Sequence, residues 1–258
     1  MKIGKIIKTT LITILATSMA AYIVYAVFFL SMPDENEKCQ TVELIVNQET
    51  QSVFIDEKDV ETMLKEANRY PKGMLMKDVD TERIETTIKK NEFILSAECY
   101  KATEGVVCIS VTQRTPILYV LPDGREGFFL DTKGIAIPNS RGYMSDFVVV
   151  SGDVDETFAS KNLVDIGMFL RTDAFWSKQI EQIYLTRNDE GERVVEIVPR
   201  VGDQIVYLGT LDNFQKKLRN LRIFYDKAMG TVGWNKYKRI NLEYDNQIIC
   251  TKRNKSKK

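Results

Sequence analysis

The chain has 258 residues, of which 36 are basic and 36 acidic, so its formal net charge is zero. This balance gives no reason to expect a nucleic-acid or polyanion partner. The chain contains no histidine and four cysteines, which excludes catalytic triads and zinc sites built on imidazole and argues against a disulfide scaffold. Its 44% hydrophobic content is enough for real cores and fits two modest domains.

The N-terminal segment is predicted to anchor the protein in a membrane. An uncharged apolar run, Thr9–Met32, follows Lys2, Lys5 and Lys8, and as a helix it would be about 36 Å long. The lysines place residues 1–8 in the cytoplasm and the C-terminal body outside, as in a single-pass type II protein. A cleaved signal peptide is the alternative, with Ser18-Met19-Ala20 as a small-x-small site. The apolar run continues well beyond that site, which favours an uncleaved transmembrane helix over residues 9–32.

After a polar linker, residues 33–39, the pattern of residues 40–114 predicts a small α+β domain. Asp56 and Asp80 are expected to cap the N-termini of two amphipathic helices. The predicted strands are Thr41–Val46, Ile94–Lys101 and Val106–Gln113. The resulting β-α-α-β-β order predicts a sheet with both helices against one face.

Two cysteines in the predicted hairpin raise the question of a disulfide. If the turn is centred between Thr103 and Glu104, Cys99 and Cys108 lie opposite each other, close enough for a disulfide. A three-residue loop ending in Gly105 in the left-handed conformation would instead shift the register by one residue and separate them. The residues leave both alternatives open.

Residues 115–251 show short apolar runs separated by turn signals, which predicts a second, mostly antiparallel β domain with helices on one side. A helix is expected near Lys161–Leu170, and Asp212 is expected to cap the N-terminus of a longer helix that runs to about Lys227. Residues 252–258 form a basic tail. The predicted strands include Ile117–Leu121, Gly127–Asp131, Phe147–Val150, Ile180–Thr186, Val194–Val198, Gln204–Leu208, Arg239–Tyr244 and Gln247–Thr251.

This order of segments resembles the FtsQ/DivIB family of bacterial cell-division proteins. The resemblance rests on the order and spacing of four short motifs behind the anchor: Val111-x-x-Arg114-x-Pro116, Phe129-Leu130-Asp131-x-x-Gly134, Val149-x-x-Gly152 and Ile240-Asn241-Leu242-Glu243-Tyr244. It implies a POTRA domain followed by a β domain. It also implies a non-enzymatic scaffold of the division machinery in the inner membrane at the septum, with its body in the periplasm.

The last predicted strand, Gln247–Thr251, is the candidate binding site. If it lies at a sheet edge, its free backbone groups could accept a partner strand; from the residues alone, a passive edge protected by the basic tail is an equal alternative. The resemblance implies that the C-terminal strands bind FtsB in complex with FtsL, which are small bitopic coiled-coil proteins. The matching positions are Glu243, Tyr244, Asn246, Gln247, Ile248, Ile249, Cys250, Thr251 and Lys252.

The other class of function is a membrane-anchored extracytoplasmic enzyme that acts on the cell wall. Without histidine such an enzyme would need a Ser/Lys pair or paired carboxylates. The sequence contains no S-x-x-K motif, and no carboxylate pair stands out from the predicted helix faces. The scaffold is therefore favoured, and no catalytic residue, cofactor or metal is expected.

Overall fold

The computed structural model describes residues 3–26, 36–47, 54–139 and 147–253. Two compact units meet in the sequence between Gln113 and Arg114. The end of the predicted span beyond residue 26, the linker up to residue 35 and the tail from residue 254 lie outside the described residues.

The N-terminal helix, α1, covers Ile3–Tyr25. It begins earlier than the predicted span, and its side chains from Thr10 to Tyr25 are exposed. No helix in the described part of the chain combines the length and apolarity that crossing a membrane requires. The transmembrane helix over residues 9–32 therefore stays a prediction.

The first unit contains the predicted β-α-α-β-β module. Asp56 caps α2 by accepting a hydrogen bond from the Asp59 N–H, and Asp80 caps α3 by accepting one from the Arg83 N–H. Both predicted N-caps are confirmed. The elements are β1 (Thr41–Asn47), α2 (Glu57–Glu66), α3 (Thr81–Lys89), β2 (Ile94–Lys101) and β3 (Val106–Gln113).

The strands of this unit form one sheet in the order β1-β3-β2, with β1 parallel and β2 antiparallel to β3. The apolar residues of both helices and of one sheet face belong to a single buried cluster. Its members include Val60, Leu64, Ile84, Ile88, Val107, Ile109 and Val111. Because every second residue of a strand faces the same side, the sheet has its helices on one face and an open face opposite.

The hairpin of the first unit decides the disulfide question. Cys99 pairs with Ile109, while Cys108 pairs with Tyr100. The two thiols therefore lie on opposite faces of the sheet, and both are free. The disulfide alternative is wrong for this register. The cause is the longer turn, in which Glu104 and Gly105 both adopt positive φ and shift the pairing by one residue.

The second unit is built on one mixed sheet with the order β12-β11-β10-β9-β8-β7-β4-β5-β6. The pairs β4–β7, β7–β8 and β10–β11 are parallel, and the other neighbours are antiparallel. The strands are β4 (Pro116–Pro122), β5 (Phe128–Asp131), β6 (Ala136–Pro138), β7 (Val149–Gly152), β8 (Ile180–Arg187), β9 (Arg193–Pro199), β10 (Ile205–Gly209), β11 (Tyr237–Asn241) and β12 (Ile249–Lys252).

Two helical segments with π-turns cover this sheet. The helices are α4 (Glu156–Phe158), α5 (Val164–Thr172), α6 (Trp176–Gln179), α7 (Phe214–Phe224) and α8 (Gly230–Val232), with π-turns at Ala159–Leu163 and Tyr225–Met229.

The prediction that Asp212 caps α7 is wrong. Asn213 occupies the N-cap position of α7 with positive φ, and the Asp212 carboxylate instead accepts a hydrogen bond from the Thr210 hydroxyl.

One row of side chains across the sheet shows where the core lies. Consecutive strands pair these residues directly: Val120, Val150, Ile183, Ile197, Val206, Ile240 and Cys250. The first six are buried together with helical residues such as Leu163, Leu218 and Leu221. The helices therefore pack on the face that this row defines, as the sequence predicted.

Two of the family-like motifs meet in a buried turn. The Asp131 side chain is 1% exposed, its Oδ2 lies 2.8 Å from Nη1 of Arg114, and its Oδ1 accepts the N–H groups of Lys133 and Ile135. Gly134 takes a φ of 75°, which an L side chain rarely adopts. The Asp131-x-x-Gly134 motif therefore forms a tight turn, which the Gly134 N–H closes by donating to the Asp131 carbonyl.

Candidate partner-binding edge

β12 is an edge strand of the second unit. Among the described residues its one neighbour in the sheet is β11, with Asn241 opposite Ile249 and Arg239 opposite Thr251. The strand starts at Ile249 rather than at the predicted Gln247, because Gln247 and Ile248 belong to the connection from β11. One long side of β12 therefore lacks a strand partner within the described part of the chain.

Backbone hydrogen bonds on either side of the pair show which groups of β12 face outward. The Arg253 N–H donates to the Lys236 carbonyl, and the Leu242 N–H donates to Tyr207 on β10. Since backbone groups alternate in direction along a strand, Ile249 and Thr251 direct their N–H and C=O groups towards β11. Cys250 and Lys252 direct theirs towards the open side. These two residues therefore present backbone donors and acceptors that no described strand pairs.

The side chains of β12 divide between core and solvent. Cys250 is half-buried against the core, and this burial raises the pKa of its thiol. Ile249 is 47% exposed, and Thr251 and Lys252 are also exposed. The strand is thus anchored through Cys250, while its other side chains remain accessible.

The connection before β12 brings the remaining predicted residues to the same end of the sheet. Tyr244 is 54% exposed and is therefore not part of the core. A turn follows, in which the Gln247 N–H donates to the Tyr244 carbonyl and Asn246 adopts positive φ. Glu243 is exposed, and its N–H donates to the Asn241 side chain. Ile248 packs against the core.

Two lysines of α7 bond to neighbouring segments of the sheet, one to this connection and one to the end of β10. Lys216 Nζ lies 3.0 Å from the Asp245 carboxylate. Lys217 donates to the carbonyls of Leu208 and Thr210 at the end of β10. Burial lowers the pKa of the Lys217 amine, although Asp212, Glu243 and Asp245 oppose this shift. These bonds tie α7 to the end of β10 and to the connection after β11.

An apolar cavity of 420 Å³ lies beside the connection. It is lined by Asn220, Ile223, Phe224, Lys227, Ala228, Asn246 and Ile248. Ile223 is among the exposed large hydrophobic residues, on the side of α7 away from its buried residues Leu218 and Leu221. An apolar residue off the buried stripe of a helix is the signal for this cavity in the sequence, and Ile223 was not among the predicted site residues.

Comparison with known proteins identifies the family to which the chain belongs. Residues 115–251, more than half of the chain, match the family model "FtsQ/DivIB, C-terminal related". Residues 37–112 match the model of a POTRA-like domain. The chain therefore belongs to the FtsQ/DivIB family of cell-division proteins.

Relatives from two organisms match. The chain is 25% identical over 184 residues to a protein of Rhodothermus marinus named "Cell division protein FtsQ". The match covers 69% of this chain and 67% of that protein. The major extracytoplasmic domain of the cell-division protein DivIB from Geobacillus stearothermophilus shares 18% identity at a TM-score of 0.33. That match covers 47% of this chain and 98% of the solved domain.

Proposed function

We propose that this protein is a non-enzymatic scaffold of the bacterial division machinery, which binds an FtsB-like protein in complex with an FtsL-like protein along β12. Pairing with the open edge would add one more strand to the sheet and couple these proteins to septal wall synthesis. The support is membership in the FtsQ/DivIB family and the resemblance of the C-terminal residues to the partner-binding region of that family.

The observation that carries this proposal is the open side of β12, where Cys250 and Lys252 direct backbone groups away from β11. An extended segment of the partner could pair with these groups, because in β-augmentation the added strand is aligned by backbone hydrogen bonds. The adjacent cavity beside Ile248 offers a place for an apolar side chain of the partner. The exposed ring of Tyr244 lies in the connection that leads to this strand.

Affinity capture with a protein that ends at Tyr244 tests the proposal. We expect the full chain to capture the FtsB-like protein of the same organism and the shortened chain to lose this binding. Fluorescence of Trp176 and Trp234 reports whether the second unit is still folded, since both tryptophans pack in its core. Normal binding by the folded, shortened protein would contradict the edge-strand proposal.

We also propose a type II topology, with the N-terminus in the cytoplasm and the body outside the inner membrane. It is supported by Lys2, Lys5 and Lys8 before the apolar run Thr9–Met32. A reporter that is active only in the periplasm, fused after Lys258, is expected to give signal, and the mass of the product should include the anchor. A soluble product that starts near Ala21 would refute the anchor and indicate secretion.

A further inference from the structure

Arg253, the residue directly after β12, is bonded to two other segments of the second unit. Its backbone N–H donates to the Lys236 carbonyl at 3.0 Å, just before β11. Its Nη2 donates to the backbone carbonyl of Asp203 at 2.9 Å, in the connection before β10. We propose that Arg253 is a positioning residue, which keeps the end of β12 on β11 so that Cys250 and Lys252 present a straight edge. The inference rests on the proposed function of that edge.

The end of β12 needs such a contact because little else holds it. The strand is four residues long, and Thr251 and Lys252 have exposed side chains. The pairing is also irregular at this end, where the register shifts between Tyr237 and Arg239 on β11. Short terminal strands without apolar packing open locally at low cost. The start of β12 differs, because Ile248 and Cys250 pack against the core.

The acceptor of the Arg253 side chain is itself well held. The Asp203 N–H donates to the Asn235 side chain at 3.2 Å. The next residue, Gln204, is buried, and its Nε2 donates to the Val201 carbonyl at 3.0 Å. Because the Asp203 carbonyl lies in a hydrogen-bonded turn, it can orient the Arg253 guanidinium without the entropic cost of ordering a mobile loop.

The geometry distinguishes the carbonyl of Asp203 from its carboxylate. The carboxylate Oδ2 lies 3.9 Å from Nη1 of Arg253, and the Asp203 side chain is 70% exposed. Exposed pairs at such distances contribute little. Removal of the Asp203 carboxylate should therefore leave the pairing of β12 with β11 intact, whereas removal of the Arg253 guanidinium should weaken it.

Amide hydrogen exchange of the free protein tests this inference directly. The inward-facing amide of Thr251 reports local opening of the strand end. In Arg253→Met, which keeps the aliphatic stem, we expect its exchange to be roughly three- to tenfold faster, as the loss of one exposed charge-assisted bond implies. Arg253→Lys should restore part of the protection because its ammonium can donate to the same carbonyl. Asp203→Asn, the matched control, should exchange like the wild type.

The same four proteins are then compared for binding to the FtsB-like protein of the same organism. Arg253→Met should lower the affinity by a similar factor at an unchanged melting temperature, with partial recovery in Arg253→Lys. Unchanged exchange at Thr251, or faster exchange with wild-type affinity, would overturn the inference. If the wild-type protein binds no partner, the proposed function fails instead. The exchange result then decides alone whether Arg253 positions the strand.

Discussion

Replacement of Asp131 with alanine is expected to lower the free energy of unfolding of the second unit by about 3–5 kcal/mol, the usual cost of breaking a buried ion pair. The substitution removes a carboxylate that pairs with Arg114 and accepts the N–H groups of Lys133 and Ile135. The largely buried guanidinium of Arg114 would lose this carboxylate. The N–H groups of Lys133 and Ile135 would then need water as their hydrogen-bond acceptor. The turn that joins β5 to β6 would open as a result.

Tryptophan fluorescence during denaturant unfolding measures this effect on the second unit alone, because both tryptophans of the chain lie in that unit. Asp123→Ala is the matched control, since Asp123 is an exposed aspartate in another turn of the same unit. It is expected to change the stability by less than about 0.5 kcal/mol. Equal stabilities of the Asp131→Ala and Asp123→Ala proteins would show that the buried pair does not hold the turn.

Replacement of Cys250 with proline is expected to weaken binding of the FtsB-like partner by about 10- to 100-fold, because an unpaired buried polar group costs about 1–3 kcal/mol. The N–H of Cys250 points to the open side of β12, so its loss removes a donor for the partner strand and leaves the bonds of Thr251 and Ile249 to β11 in place. Proline also restricts φ at this position.

Cys250→Val separates the backbone effect from the side-chain effect, because valine keeps the N–H and remains an apolar residue against the core. This variant is expected to bind the partner with nearly wild-type affinity. Both variants should be compared by titration with the partner and by melting temperature. Equal affinities for the Cys250→Pro and Cys250→Val proteins, both folded, would mean that the partner does not pair with the outward N–H of this strand.

Most of the longer helices and strands of this protein could be predicted from local patterns, whereas the three-residue strand β6 and the short helices α6 and α8 were not predicted. In the first unit, the hairpin strands Ile94–Lys101 and Val106–Gln113 were predicted at the residues where they occur. Alternating apolar residues specify a strand, and an aspartate before an amphipathic stretch specifies a helix start. The rule failed at Asp212, because Asn213 tolerates the left-handed conformation and starts α7 one residue later.

The candidate site depended more on tertiary structure. The sequence indicated a last strand near residues 247–251, but its place at the sheet edge follows from the strand order β12-β11-β10, which joins distant segments. The cavity beside Ile248 requires α7 and the connection together, and the bond from Arg253 to Asp203 spans 50 residues. Local patterns do not encode such distant pairings.

By itself, the sequence determined the order of the longer elements, their buried faces and the motifs that resemble one family of division proteins. These properties depend on the side-chain period of 2 or 3.6 residues and on residues close in the chain. Only the tertiary structure decided the one-residue register that separates Cys99 from Cys108, and which backbone groups of β12 remain open. The conformation of the turn at Glu104 and Gly105 sets the hairpin register, and a shift of one residue turns every side chain to the other face. The edge position of β12 is set by pairing between strands that are distant in the sequence.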